Sequence, residues 1–583
     1  MIYKTLLARG YFPKELPPAF STEEFSKYAT TQKGRGVLEG YSPAEGFTEG
    51  VRYQLALPGY LVRQLQIPHP ASFSGLARLT SRHFRRLLTK AGQSKFSKSR
   101  PVYTGTSQRA IRSLFKPSNL ARERAASRAG GSYLLKLDIS QFYPSLYTHA
   151  IGWAIDPALR HKANWQSKSL LGKKIDQCMM KLQRKISQGI PIGNDISYLL
   201  AEIVLSQVDR ALKVPSDRAY RWFDDYEVSC DTREEAEDIQ ARLRAELGRF
   251  RLRANPLKSG ITELPRPAQE EWQQVLLGAS RSSLRRAEAM VAFFDTAFRQ
   301  RETNPESPVL LYALGLLFSI ACPDSQVASV VQSGVTQAIL AEPGVAQKAY
   351  SLLTYWYLNG LKLDRRLLAR TIDQVVLRHK AMGVTSDVSW ALAFCVEQKL
   401  SLGREAARVL SECDDDCILI QALHCHAGGL LPKGFAKDKI ADVLRQIDLD
   451  GEHWLLGYEA LRQGFMSETA TAVKANSLFA GLLSSSVTFY RSQLPPYASV
   501  VHQGGAPEWV VSSWLDSLSG RRVAVREEWS PDRMPMLRMI GESLARLPEA
   551  SRSKDETIVS LLGALRLTEF PLGLEEEGYE SYG

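Results

Sequence analysis

An α+β chain is expected, with strands and helices mixed in its first half and helices alone beyond Pro265. Three observations lead there. YLLKLDIS at 133–140 has the apolar density of a buried strand, and the segment around 220–229 is strand-like as well. Between them, SYLLAEIVLSQVDRAL at 197–212 carries the apolar spacing of an amphipathic helix. After Pro265, apolar helical segments follow one another, broken near Asn304-Pro305, Pro343-Gly344, Asn359-Gly360, Gly428-Gly429 and Gly504-Gly505. Helix pairs of roughly 35 to 45 residues suggest an irregular HEAT-like helical-repeat domain, with a plain bundle as the alternative.

In chain order, four parts are expected. Residues 1–60 read as an N-terminal arm, because Gly10-Tyr11-Phe12-Pro13 and Pro17-Pro18 favour extended or turning backbone. Residues 61–132 are basic; within them Phe73, Leu76, Leu79, Phe84 and Leu87 predict a helix over 73–89, with Arg78, Arg82, Arg85 and Arg86 on its other face. Residues 133–265 hold the mixed core, and 266–583 the helices. The tail, with Glu575-Glu576-Glu577, Tyr579 and Tyr582, reads as exposed.

The 583 residues exclude a single small module. The longest apolar run, Val309 to Ala321, covers 13 residues and is too short for a bilayer, so no membrane partner is expected. The N-terminus lacks signal-peptide features and the seven cysteines form no disulfide framework, which fits a reducing cytoplasm. Charge is divided unevenly: residues 1–265 are net +18 and residues 266–583 net −6. Residues 51–200 alone hold 25 basic and 5 acidic side chains, a density that concentrates phosphate-bearing partners.

Two acidic sites lie against apolar strand residues, where an unpaired carboxylate is expensive to desolvate: Asp138 in LLKLDISQFYPS and Asp224-Asp225 in YRWFDDYEV. Brought together, the three would offer hard oxygen ligands to two Mg²⁺ ions, with Mn²⁺ as a substitute, for phosphoryl transfer. The plain alternative is a turn or a solvated face, and Asp414-Asp415-Asp416 in the helical half reads as that. Cys413-x₃-Cys417 and His424-Cys425-His426 match no standard zinc spacing; Cys413 and Cys417 are expected on one apolar helix face as packing groups.

Four segments in order resemble the reverse transcriptases. DISQFY is similar to polymerase motif A, which implies Asp138 as a metal ligand and Tyr143 as a steric gate under the sugar; a core aromatic would explain Tyr143 but not its spacing from Asp138. QGIPIGNDIS at 188–197 resembles motif B, placing Gln188, Gly189 and Pro191 near the incoming nucleotide, unless the loop is an ordinary helix cap. WFDD at 222–225 resembles motif C, with a hairpin aiming Asp224 at the metals, and ANPLKSGITELP at 254–265 resembles motif D, with Lys258 as a general acid. Upstream, 97–112 resembles the fingers; Arg109 and Arg112 would lie near the triphosphate, or serve general strand binding from the basic face. The implied fold is fingers and an antiparallel palm sheet packed on helices.

GYFPKELPPAF, FYPSLYTHAIGWAI and the helical half with Ser389-Trp390-Ala391-Leu392 resemble the abortive-infection and defence-associated reverse transcriptases of bacteria. That resemblance implies a phage-defence DNA polymerase in the bacterial cytoplasm, using dNTPs, making single-stranded DNA without a supplied template, priming from a tyrosine, and assembling as a trimer or hexamer. The helical domain would replace the usual thumb. Two departures bear on this: Trp222 and Phe223 bring bulky rings to motif C, which would narrow the template channel, and Gly193-Asn194 replaces a Ser-Pro-type continuation in motif B. The rival readings are a conventional RNA-templated enzyme of retron or intron type and a catalytically silent RNA-binding scaffold.

Overall fold

The computed structural model describes residues 1–492 except 105–108, 168, 282–283, 319–322, 324 and 359–360. Asn359-Gly360, Gly504-Gly505, Glu575–Glu577, Tyr579 and Tyr582 lie outside the described residues. The chain is mixed α+β and mostly helical.

Among the described residues eight strands form three antiparallel sheets: β1 (Val51–Leu57) with β2 (Leu61–Ile67), β3 (Pro101–Tyr103) with β4 (Ile111–Ser113), and a four-stranded sheet of β5 (Tyr133–Leu137), β6 (Ala219–Trp222), β7 (Asp225–Cys230) and β8 (Gly260–Glu263). The order in that last sheet is β6-β7-β5-β8. The apolar strand β5 is therefore interior, with Leu135 opposite Val228 on one side and Ile261 on the other. The helices Leu120–Arg128 and Arg233–Arg249 lie against the sheet. Helix Asp195–Leu212 is buried along most of its length, and its start is fixed by Asn194, whose Oδ1 accepts from the Ser197 N–H at 2.9 Å.

The first sixty residues do not form an extended arm. They fold into helices Ile2–Arg9, Glu23–Thr30 and Gln32–Gly40 before β1 begins. The Gly10–Pro13 turn is buried, with Tyr11 stacked on Phe73 at 4.2 Å and its hydroxyl donating to the Pro68 carbonyl. The turn residues thus mark a sharp return between packed helices. The helix expected over 73–89 is two, Pro70–Arg82 and Phe84–Ala91, broken at His83; Arg82, Arg85 and Arg86 are exposed as expected, and Arg78 is half-buried against Glu39.

Between Glu271 and Ser484 the described elements are all helices, and most of them pack against the helix two places along. This array curls back onto the first residues: Ser21 and Phe489, and Arg491 and Ala19, exchange backbone hydrogen bonds of 2.9 and 2.8 Å. It also covers the edge of β1, where the Ala56 N–H donates to Ser386 Oγ at 2.9 Å and the Gln54 N–H to Thr385 Oγ1 at 3.3 Å. Among the described residues no helix is long and apolar enough to cross a membrane.

Two readings of the helical half are corrected. Of Asp414-Asp415-Asp416 only Asp414 is exposed as expected: Asp415 caps helix Asp416–Ala427, and buried Asp416 binds His453 Nδ1 at 2.7 Å and the Leu456 N–H at 2.9 Å. Cys413 and Cys417 do not share a helix face, because Cys413 precedes that cap. Cys417 and Cys425 are buried, and His424 Nδ1 lies 2.8 Å from the Tyr490 hydroxyl.

Candidate active site

The site gathers at one end of the four-stranded sheet. β5 ends at Leu137, and Asp138 follows at once, its N–H donating to Ser259 Oγ at 3.3 Å and its carbonyl accepting from the Asn255 N–H at 2.8 Å. Strands β6 and β7 are joined by the two residues Phe223-Asp224, with Trp222 paired to Asp225. Asp138, Asp224 and Asp225, far apart in sequence, are thereby electrostatic neighbours.

Burial pushes the Asp224 carboxyl well above the usual range, and Asp225 and Asp138 push it further. Asp225 is raised to about 6 by burial and by Asp138, with which it shares a hydrogen bond; Arg124 and Lys258 pull it back. Two carboxylates sharing a proton are a site short of positive charge. Asp224 Oδ1 is buried and has no hydrogen-bond partner. Among the described residues no three His, Cys, Asp or Glu side chains are placed to hold a metal ion as they stand; the three aspartates are hard oxygen donors of the type that Mg²⁺ takes.

The hairpin carrying Asp224 is held in a demanding shape. Phe223 has φ of 49°, in the left-handed region that a bulky side chain avoids. Both of its backbone polar groups are tied: the N–H donates to Ser99 Oγ at 2.9 Å, and the carbonyl accepts from Arg221 Nη1 at 2.8 Å. Arg221 is fully buried and forked onto Glu202 at 2.9 and 3.0 Å, with Asp209 at 2.8 Å. Both carboxylates stand on helix Asp195–Leu212, so the ion network fixes the hairpin to that helix. Arg221 is a positioning residue that reading the sequence missed. Trp222 and Phe223 are buried, with Phe223 against Tyr198 at 5.5 Å, so their rings do not stand in an open channel as expected.

Of the other expected residues, Lys258 stands beside the carboxylates, Nζ 3.8 Å from Asp138 Oδ2 and largely exposed. Tyr143 lies in the short helix Phe142–Ser145, buried against Phe142, and its carbonyl accepts from the Ile190 N–H at 3.2 Å. Gln188 is exposed and its Nε2 donates to the Ser145 carbonyl at 3.2 Å, while Pro191 is buried. The 188–191 loop therefore sits directly on the 142–147 turn.

Gly189 makes this approach possible: its φ is +79°, and a Cβ there would stand 3.1 Å from the Pro144 carbonyl. Gly189→Ala is expected to raise the nucleotide KM by about tenfold, from strain of ~1–2 kcal/mol that lifts the loop off the turn, as checked by steady-state kinetics with the thermal melt as control. Gly193, at φ +110°, is likewise closed off by Pro13, whose Cγ would be 2.6 Å from a Cβ.

Arg109 does not face the carboxylates. Its guanidinium binds Asp195 at 2.8 Å and the carbonyls of Phe12 at 2.6 Å and Gly193 at 3.2 Å, tying the Gly10–Pro13 turn to the start of helix Asp195–Leu212. Arg112 lies exposed on β4. The cations that do act on the aspartates are Arg63 of β2, near Asp224, with Arg124 and Lys258 near Asp225. Arg63 and Arg124 carried no signal beyond the general basic composition.

Residues 75–281 match the family described as "Reverse transcriptase (RNA-dependent DNA polymerase)", a span that includes Asp138, Asp224, Asp225 and Lys258. No curated protein matches the chain. Among solved structures, the apo telomerase of Candida Tropicalis is similar over 68% of this chain and 70% of that one, at 12% identity and a TM-score of 0.29.

Proposed function

We propose that the chain, whose residues 75–281 match the reverse transcriptase family, is a DNA polymerase that transfers nucleotides from dNTPs with Mg²⁺, and Mn²⁺ as a substitute. The observation that carries this is the meeting of Asp138, Asp224 and Asp225 at the end of the sheet with Asp224 Oδ1 buried and unpartnered. Bound there, the ions would lower the cost of the charge that develops as the α-phosphate is attacked. The chain's own groups do the rest: the Arg221 network holds Asp224 in place, Gln188 and Gly189 shape the nucleotide side, and Lys258 stands ready to protonate the leaving pyrophosphate.

The finer reading is a bacterial anti-phage enzyme, active without a template, primed from a tyrosine of the protein, with a HEAT-like array in place of a thumb, working as a homo-oligomeric trimer or hexamer in the cytoplasm. Its support is the sequence resemblance described above. The buried rings of Trp222 and Phe223 remove the argument that they constrict a channel, so template independence stands on that resemblance alone. Single-stranded DNA would be the product, and RNA a further partner of the basic face.

The test is incubation of the purified protein with Mg²⁺ and the four dNTPs, with no template or primer, beside an Asp138→Asn variant. Long DNA from the wild type alone establishes a metal-dependent, template-free polymerase and favours the defence reading. Synthesis only on a primed RNA template leaves a conventional reverse transcriptase, and no synthesis under either condition leaves the RNA-binding scaffold. Tyr143→Val is expected to increase NTP incorporation relative to dNTP by about tenfold or more, since removal of the ring makes room for a 2′-hydroxyl; an unchanged ratio would show that Tyr143 is a packing residue only.

A further inference from the structure

Gln183 lies at the root of the loop that carries Gln188 and Gly189, and its side chain reaches across that loop. Nε2 donates to the Ile186 carbonyl at 2.8 Å and to the Gly189 carbonyl at 2.9 Å. Both partners are carbonyl oxygens, so only the NH₂ end of the carboxamide can face them, and its two N–H groups meet two acceptors. The second bond falls on a peptide that is held at its other end too, since the Ile190 N–H donates to the Tyr143 carbonyl at 3.2 Å. The Gly189–Ile190 peptide is thereby fixed in orientation, with Gln183 on its carbonyl and motif A on its N–H.

The base of the loop is anchored to residues 45–49. The Arg184 N–H donates to the Thr48 carbonyl at 3.2 Å, Arg184 Nε lies 2.6 Å from Glu49 Oε1, and Lys185 Nζ donates to the Glu45 carbonyl at 3.1 Å. Arg184 stands in the left-handed region just after helix Leu171–Lys181, as is common where helices end, but Lys185 follows in the same region at φ 60°, which costs a residue with a side chain. The tip beyond it has little packing to hold that shape, with Ile186 and Gln188 exposed and Ser187 half-buried. Hydrogen bonds must do so instead: the Thr148 N–H on the Ser187 carbonyl at 2.9 Å, Gln188 on Ser145, and the pair from Gln183. At Gly189 itself the backbone gives no preference, because glycine takes either hand of φ freely and the next peptide can turn over at small cost.

We infer that Gln183 is a positioning residue for the nucleotide site: its carboxamide selects one orientation of the Gly189–Ile190 peptide and so sets the face that Gln188 and Gly189 present. It acts through the loop and touches no substrate. The role in nucleotide binding rests on the proposed polymerase reading; the hold on the loop does not.

The test compares full-length Gln183→Met, which keeps the length of the side chain and loses both donors, with Gln183→Lys, which keeps donors. The first readout is amide hydrogen exchange over residues 147–149 and 186–192, followed by mass spectrometry without nucleotide. The Met variant is expected to exchange about tenfold faster in both segments, since the Thr148 and Ile190 N–H groups lose their acceptors as the loop shifts, and the Lys variant to stay close to wild type. The second readout is steady-state incorporation of dNTPs with Mg²⁺. The Met variant should raise the dNTP KM about tenfold and leave kcat within about twofold, with most of the loss recovered by Lys. Unchanged exchange in the Met variant overturns the inference. Equal effects of Met and Lys overturn it as well, because the side chain would then act by shape and not by donation. Faster exchange with an unchanged KM, or a fall in kcat alone, removes the link from this loop to the nucleotide. A wild type that incorporates nothing defeats the polymerase reading and the nucleotide role with it, while exchange still decides whether Gln183 holds the loop.

Discussion

Full-length protein carrying Asp224→Asn and Asp225→Asn is expected to melt a few degrees above wild type at pH 7.5 in EDTA, while losing nucleotide incorporation by on the order of 10³-fold or more. The two effects have one cause. Folding raises both carboxyls, Asp225 to about 6 from an ordinary 3.8, because burial and their mutual repulsion with Asp138 oppose the charged forms. The folded protein therefore holds protons that the unfolded chain has released. Stability from this source is full below about pH 4 and is lost as pH rises through about 6 and beyond.

At pH 7.5 the wild type keeps the repulsion and the Asn variant does not, a difference on the order of 2 kcal/mol. The gap in melting temperature should narrow as pH is lowered through 6 towards 4, where the folded carboxyls have taken up their protons. Mg²⁺ should stabilise the wild type by about 2.7 kcal/mol at a hundredfold excess over Kd, and so raise its melt more than the variant's. A variant that melts lower than wild type at pH 7.5 in EDTA would show that the aspartates are satisfied by groups of the protein itself and that the cluster is structural.

Arg221→Met should be the most damaging single change outside the aspartates. It leaves Glu202 and Asp209 buried and unpaired, which costs about 3–5 kcal/mol, and it frees the Phe223 carbonyl that shapes the hairpin. Both the melting temperature and incorporation should fall. Adding Glu202→Gln and Asp209→Asn removes the stranded charges and should restore most of the stability, as replacing a whole buried ion network commonly does. Incorporation should stay low, because no donor remains on the Phe223 carbonyl. Recovery of activity along with stability would assign Arg221 a packing role and no part in aiming Asp224. Thermal melts and single-turnover incorporation on the same preparations separate the two.

What the sequence disclosed was what short range and apolar context determine. Asp138 and Asp224-Asp225 could be found because each lies against residues that otherwise bury, and strands around 133–140 and 220–229 are present where alternation and density placed them. Partners across long separations could not be found. Ser99 caps the backbone of a residue 124 positions away, and Asp195 is held by Arg109 from 86 positions away. Arg109 looked like a triphosphate ligand because a guanidinium suits phosphate, yet it suits a buried carboxylate equally well.

The N-terminal turn misled for a related reason. Gly10 to Pro13 carries the local chemistry of an extended arm, and only tertiary contact, Pro13 against Gly193 and Tyr11 against Phe73, converts it into a foundation for motif B. The triple aspartate at 414–416 failed similarly, since the burial of Asp416 is decided by His453 and Leu456, some forty residues on.

The meeting of residues 19–21 with 489–491 sets an order of events during synthesis. Phe12 and Phe25 pack on Phe489, and His69 on Trp454 and Phe479, so the N-terminal layer that supports Gly193 and helix Asp195–Leu212 has no completed partner surface until the array has left the ribosome. All three aspartates are made by residue 225, but the base of the catalytic loop waits for another 264 residues. A nascent chain halted after residue 265 carries all three aspartates and the N-terminal layer under Gly193 but lacks the helices that back that layer, so the support is completed late, when the two ends of this body close on one another.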